Sequence, residues 1–167
     1  MDTTATLRTL LLHNGFVLSK TSGPSMRPLI WTGQHCVAVT PLAGEPEPGD
    51  LLLFADRRTG KEKHIVHRLI EIRERGGRRI YITRGDNCLG CESVERPDII
   101  GRVAEVHRLS GYRPWHAVAA KKFSVTDRAY LRYTRIWTAI WPARRICYLL
   151  RAYSAGALRR IKSILRK

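Results

Sequence analysis

Acidic residues are scarce in this sequence of 167 residues. Only 14 Asp and Glu stand against 30 Lys and Arg, which gives a formal net charge of +16. Solubility requires far less charge, so the imbalance indicates a partner with an anionic surface, and a membrane and a nucleic acid both meet that description. Because 44% of the residues are hydrophobic, the chain can still bury a core, and disorder is not expected.

Cysteine is also scarce. The four cysteines are too few and too scattered for a disulfide scaffold; they are Cys36, Cys88, Cys91 and Cys147. Cys88 and Cys91 form a C-x-x-C pair, but a zinc site needs two further ligands and no second pair exists. We therefore interpret the pair as part of a loop and expect no metal site there.

Long apolar stretches are absent from the sequence. No window reaches the roughly 18 consecutive apolar residues of a membrane-spanning helix, and residues 1–12 lack the charged-then-apolar layout of a secretory leader. We therefore expect a chain that neither spans a membrane nor is exported, with its cysteines reduced.

Residues 1–110 have the pattern of a mostly antiparallel β domain. A short helix is expected over residues 3–14, ended by Gly15. Apolar or alternating runs separated by Pro- and Gly-rich turns then predict five strands, over residues 36–40, 51–55, 64–72, 79–83 and 99–107. The predicted fold class is a mostly β domain over residues 1–110, followed by a helical tail over residues 111–167.

The tail is strongly basic. Residues 121–167 contain 13 basic residues and one acid, Asp127, for a formal charge of +12. Apolar residues recur every three or four positions from Ile146 to Ile164, which predicts a basic amphipathic helix. Aromatic residues precede it, and Pro142 is expected to kink or split the helical segment. An anionic membrane surface suits such a helix; docking on the β domain is the alternative.

Ser25 is the first candidate for chemistry. It stands in the segment GPSMRP, residues 23–28, where Pro24 and Pro28 restrict the backbone on both sides. A serine on a stiff turn is suited to act as a nucleophile, although most serines beside Gly and Pro are simply turn residues.

His67 is the second candidate. It falls within an expected strand, on one face with Ile65 and Leu69, so its ring is predicted to be partly buried. A histidine in such a place is usually structural, but a serine peptidase needs one neutral imidazole to take the hydroxyl proton. His64 points to the opposite face. Asp86 and Glu92 follow the next strand and could each hold the second ring nitrogen.

The chain resembles the type I signal peptidases in five segments that occur in the same order: GPSMRP (23–28), GDLLLF (49–54), IVHR (65–68), GDN (85–87) and IIGRV (99–103). The resemblance implies a β-rich peptidase fold, a serine nucleophile, no metal or cofactor, and cleavage after small residues at the first and third positions before the bond. A lysine occupies the position of His67 in the bacterial branch. Histidine resembles the endoplasmic-reticulum, archaeal and spore-former branch, which uses serine, histidine and aspartate.

Carried over to this sequence, the resemblance makes Ser25 the nucleophile and His67 its general base. The backbone N–H of Ser25 would help hold the oxyanion. Ser22, Gly23 and Met26 are the neighbouring candidates for oxyanion or substrate contacts, with Gly23 standing where the family often has a serine.

The orienting acid is left open between two residues. The paired-aspartate segment of the histidine branch corresponds here to Cys91 and Glu92, so Glu92 matches best by count and Asp86 is the alternative. The family's N-terminal membrane anchor is also missing, and the basic tail is expected to take its place.

The sequence therefore predicts a serine endopeptidase that cleaves a signal or leader peptide. It is expected to attach peripherally to the cytoplasmic face of an anionic membrane through its tail, with nucleic acid not expected as a partner. One alternative is a non-catalytic membrane- or nucleic-acid-binding module on the same fold. Another is a self-cleaving repressor-type peptidase, although those proteins use a lysine base and carry a DNA-binding domain before the catalytic region.

Overall fold

The computed structural model describes residues 3–58, 60, 62–109, 119–125 and 127–164. Their contacts form two compact units that divide between Arg132 and Tyr133. The first unit is a β domain and the second consists of helix.

The described chain is mostly β, as the sequence predicts. A helix, α1 (Thr3–Asn14), precedes the strands β1 (Val17–Lys20), β2 (His35–Thr40), β3 (Leu51–Asp56), β4 (Lys63–Arg75), β5 (Arg78–Arg84), β6 (Glu92–Glu95), β7 (Ile99–Leu109) and β8 (Ala119–Ser124). A short 3-10 turn, Arg96–Asp98, leads into β7, and two helices follow the strands: α2 (Arg128–Ala139) and α3 (Trp141–Ile164).

The strands form one antiparallel sheet in the order β1-β2-β7-β3-β4-β5-β6, and β8 pairs with β7 outside this path. The register places His67 of β4 opposite Leu52 of β3. Arg68, the next residue, pairs with Arg84 at the end of β5. The functional candidates on β4 therefore lie near the centre of the sheet, next to the point where β5 leaves it.

Both faces of β3 are buried. Leu51 and Leu53 belong to one apolar cluster, which includes Met26, whereas Leu52 and Phe54 belong to a second. Successive side chains of a strand point to opposite faces, so this split means that the sheet is covered on both sides at β3. A run of apolar residues without alternation is the expected sequence of such a strand.

The helix over residues 3–14 and all five predicted strands are confirmed, with ends that differ by up to three residues. Three further strands, β1, β6 and β8, were not predicted. Two of them have only four residues, too few to show an alternating pattern. The predicted division at residue 110 lies outside the described residues, but β8 pairs with β7, so the sheet includes strand residues up to Ser124.

The predicted helical tail, residues 111–167, is wrong for residues 119–124, because they pair with β7 as strand β8. The tail is helical over Arg128–Ala139 and Trp141–Ile164, and the split near Pro142 is as predicted. Helix α2 ends at Ala139 and α3 begins at Trp141, so Pro142 lies in the first turn of α3, where its missing N–H costs no helical hydrogen bond. No helix in the described part of the chain is long and apolar enough to cross a membrane.

Candidate active site

A cavity of about 520 Å³ lies beside β4 and the loop between β1 and β2. Its apolar lining is supplied mainly by Met26, Ile30, Leu53, Ile65 and Val66. The polar candidates from the sequence face the same space, since Ser22, Gly23, Ser25 and His67 also line it. The structure thus brings the proposed nucleophile, its neighbours and the proposed base to one cavity.

The loop that carries Ser25 is held by its own backbone and by a neighbouring turn. The Thr32 hydroxyl donates to the carbonyl of Gly23 at 2.8 Å. Gly23 has φ of 85°, in the left-handed region that favours glycine. The N–H of Asn87, in the turn after β5, donates to the Ser25 carbonyl at 2.7 Å. Ser25 is therefore fixed relative to the end of β5.

His67 is buried and held by a carboxylate. His67 is only 4% exposed. Its Nδ1 lies 2.8 Å from Oε2 of Glu92, the first residue of β6. Phe54 makes an edge contact with the ring, at 6.1 Å between centroids. A carboxylate on Nδ1 sets the tautomer of a neutral imidazole, because Nδ1 then keeps the proton and Nε2 has the free lone pair.

Gly85 is the point where the serine loop, the histidine and the β5 turn meet. A Cβ atom placed on Gly85 would lie 2.7 Å from the Ser25 carbonyl oxygen, 2.8 Å from Cys88 Sγ and 2.9 Å from His67 Nε2. Any side chain here would force these groups apart. The absence of a Cβ therefore permits the close approach of Ser25 to His67.

The Cys88 thiol is a second neighbour of the imidazole. Burial of the ring lowers the pKa of His67, but interactions with Cys88 and Glu92 outweigh burial and raise that pKa to about 9. Within the described residues, the ring makes no hydrogen bond to the Ser25 hydroxyl. In this conformation the imidazole thus has Glu92 on one side and Cys88 near Nε2.

Asp86, the alternative orienting acid, is engaged by Arg68 instead. Both of its carboxylate oxygens accept hydrogen bonds from the Arg68 guanidinium at 2.8 Å, and Arg68 is 1% exposed. Arg68 also donates to the Tyr130 hydroxyl of α2 at 2.8 Å and to the Gly49 carbonyl at 3.0 Å. A buried charge needs such partners, and removing one of them costs about 3–5 kcal/mol.

The geometry separates the two acids that the sequence left open. Glu92 contacts His67, and Asp86 pairs with Arg68. Sequence reasoning missed two features: the contact of Cys88 with His67 and the link from Arg68 to Tyr130. The first had a signal, because Cys88 directly follows the Gly-Asp-Asn turn already assigned to the site.

Among the described residues, no group of three or more His, Cys, Asp or Glu side chains is arranged to hold a metal ion. Comparison with models of known protein families and with curated protein sequences finds no match for this chain. Functional assignment therefore depends on the geometry of the cavity.

Glu92→Gln removes the charge next to His67 and keeps a side chain of similar size. The pKa of His67 is expected to fall below about 9, because desolvation is then opposed mainly by Cys88. NMR titration of the imidazole protons measures this change. Glu95→Gln, an exposed glutamate on the same strand, is the matched control and should leave the titration unchanged. An unchanged pKa in Glu92→Gln would show that the Glu92 contact does not govern the ring.

Proposed function

We propose that this chain is a serine endopeptidase in which Ser25 is the nucleophile, His67 the general base and Glu92 the residue that orients His67. The observation that carries the proposal is the Glu92 contact on Nδ1 of a buried histidine in the cavity that Ser25 lines. A carboxylate that orients an imidazole, which in turn activates a hydroxyl, is the arrangement that acyl transfer to serine requires.

In the proposed mechanism, neutral His67 accepts the Ser25 hydroxyl proton on Nε2 as the oxygen attacks the scissile carbonyl. Glu92 stabilises the imidazolium that forms, and the ring then donates the proton to the leaving amine. Water attacks the acyl-enzyme in the second half, again with His67 as base. Because unliganded sites are often looser than their substrate complexes, rotation of the Ser25 side chain toward the ring is part of the proposal.

The substrate class follows from the cavity and from the resemblance in the sequence. The lining beside Ser25 is apolar and includes Met26, Ile30 and Leu53, which suits an extended peptide with small apolar side chains. We therefore propose a signal or leader peptide cut after small residues, in the manner of a type I signal peptidase. The Ser22 and Gly23 segment, at the cavity edge, is the proposed place of the oxyanion.

An anionic membrane surface is the proposed partner of the helical unit. Large apolar side chains remain exposed on α3: Ile146, Leu149, Leu150 and Tyr153. Arg145 and Arg151 are exposed on the same helix, and the Arg144 guanidinium stacks over Trp137 at 3.5 Å. Apolar and cationic residues together on one exposed helix suit the interface of an anionic bilayer. Attachment on the cytoplasmic face, where basic residues are favoured, remains part of this proposal.

Ser25→Ala is expected to abolish cleavage of a fluorogenic peptide with alanine at the first and third positions before the bond. His67→Ala should lose nearly as much, because each substitution removes one essential partner of a proton transfer. Ser93→Ala, at an exposed serine of β6, is the control and should cleave normally. Cleavage by purified Ser25→Ala at the wild-type rate would refute the assignment.

The cleavage rate is expected to rise with pH through about 9, the pKa of His67. The sign follows from the mechanism: the imidazolium present at lower pH cannot accept the Ser25 proton, whereas the neutral ring above the pKa can. Initial rates from pH 6 to 10, with folding checked by circular dichroism at each pH, test this. A rate that does not change over that range would contradict a histidine base.

Replacing Leu149 and Leu150 together with serine is expected to weaken binding to phosphatidylglycerol vesicles by roughly tenfold or more, because each buried leucine contributes about 1.5–3 kcal/mol. Leu12→Ser, at an exposed leucine of α1, is the matched control. Sedimentation with anionic and neutral vesicles, at low and high salt, gives the affinities. If the wild-type chain ignores both vesicle types and binds RNA or DNA, the membrane proposal fails.

A further inference from the structure

Cys88 lies at the catalytic histidine without a part in the proposed mechanism. A Cβ atom placed on Gly85 would be 2.8 Å from Cys88 Sγ and 2.9 Å from His67 Nε2. The sulfur and the ring nitrogen are therefore within about 6 Å of each other. Cys88 is partly exposed, and its N–H donates to the Gly85 carbonyl at 3.0 Å, which holds the residue in the turn after β5. The thiol is therefore both positioned and reachable.

A second thiol is available in the same loop. Cys91 is free and exposed, and it precedes Glu92 at the start of β6. Gly90 separates it from Leu89, and nothing lies within 4 Å of the place a Gly90 side chain would occupy. The loop is therefore open at Gly90, between the two cysteines. C-x-x-C spacing is that of dithiols that form and break a small disulfide ring.

The other two cysteines lack this combination. Cys36 is buried in β2, and burial raises the pKa of its thiol, which disfavours the reactive thiolate. Cys147 is exposed on α3, in the helical unit. Cys88 has an imidazole backed by a carboxylate at its side, and the imidazolium form of such a ring stabilises a reacting thiolate.

We propose that Cys88 is a site of reversible thiol modification and that Cys91 is the thiol that resolves it, with low-molecular-weight disulfides as the reacting class. The reactivity of Cys88 depends on His67 and not on Ser25. Only the consequence for peptide cleavage rests on the proposed function.

The chemistry is thiol–disulfide exchange. The Cys88 thiol loses its proton to solvent, and the His67 imidazolium stabilises the thiolate. The thiolate attacks one sulfur of the small disulfide, so the disulfide's S–S bond breaks as a new one forms. The departing thiolate takes a proton and leaves as a free thiol. Cys91 then attacks Cys88 Sγ and releases the second small thiol. In sum, one disulfide is reduced to two thiols while the two cysteines are oxidised to one disulfide.

Modification at Cys88 would obstruct the site. A group attached to Sγ would extend from the place where the Ser25 carbonyl and His67 Nε2 converge on Gly85. It would also replace the thiol whose interaction helps to raise the pKa of His67. Peptide cleavage is therefore expected to stop in the mixed disulfide and to return on reduction.

The test is the rate at which iodoacetamide labels each cysteine of the full chain at pH 7.5, measured by mass spectrometry of its peptides. Cys88 is expected to react faster than the more exposed Cys91 and Cys147. His67→Gln should slow Cys88 by at least about tenfold and leave Cys147 unchanged, because it removes the imidazolium that stabilises the Cys88 thiolate. Protection of the buried Cys36 from labelling in every variant reports that the fold is intact. Glu92→Gln should also lower the labelling rate of Cys88.

Oxidised glutathione is the second probe. The wild-type chain should end as a Cys88–Cys91 disulfide, two hydrogen atoms lighter, whereas Cys91→Ser should stop at the glutathione adduct on Cys88. Ser25→Ala should give the wild-type labelling pattern. If Ser25→Ala proves to cleave peptides while Cys88 labels as expected, the proposed function fails and this inference stands. The inference is overturned if Cys88 is labelled no faster than Cys147. It is also overturned if Cys88 of folded His67→Gln is labelled as fast as Cys88 of the wild-type chain.

Discussion

The hydrogen bond from the Asn87 N–H to the Ser25 carbonyl, at 2.7 Å, is the contact on which the site depends. The residues between β1 and β2 form a loop of their own, and loops have no fixed relation to a sheet unless something holds them. Asn87 provides this constraint from the turn that leaves β5, and its side-chain amide adds a bond to the Pro24 carbonyl at 3.3 Å. Gly85 makes the approach possible because it presents no side chain between the loop and His67.

Strand β4 places His67 and Arg68 in different surroundings by simple alternation. His67 and Arg68 are neighbours, and successive side chains of a strand point to opposite faces. On one face, His67 meets Glu92. On the other, Arg68 meets Asp86 and Tyr130, and the latter ties the start of α2 to the β domain. Two carboxylates close in sequence thus have different partners: Asp86 neutralises the buried Arg68 guanidinium, and Glu92 holds the His67 imidazole.

The sequence was a good guide wherever a physical pattern extended over enough residues. The central strands were predictable because β2, β3 and β7 bury apolar runs, and the tail helices because apolar residues repeat at helical spacing. Strands β1 and β6 were not predictable, since each has four residues. The gathering of Ser25 and His67 at one cavity was predicted from the motifs.

Residue count favours Glu92 over Asp86 as the orienting acid, but it does not tell which face of the sheet the two side chains reach. That depends on the β4–β5 and β5–β6 register, including the irregularity between Leu69 and Glu71. The C-x-x-C pattern indicates a metal site or a loop and does not point to a contact between Cys88 and His67. That contact arises from the turn at Gly85, which brings residues 67 and 88 together.

The decisive measurement for the proposed serine mechanism is the identity of the atom that becomes acylated during turnover. An activated peptide ester ending in alanine, added to the full chain and quenched with acid within seconds, would leave the acyl group on the nucleophile. Digestion and mass spectrometry then locate it. A serine mechanism with a histidine base places the acyl group on Ser25 and gives no adduct in His67→Ala. Acylation of Cys88 instead, or no adduct in a preparation that cleaves peptides, would contradict it.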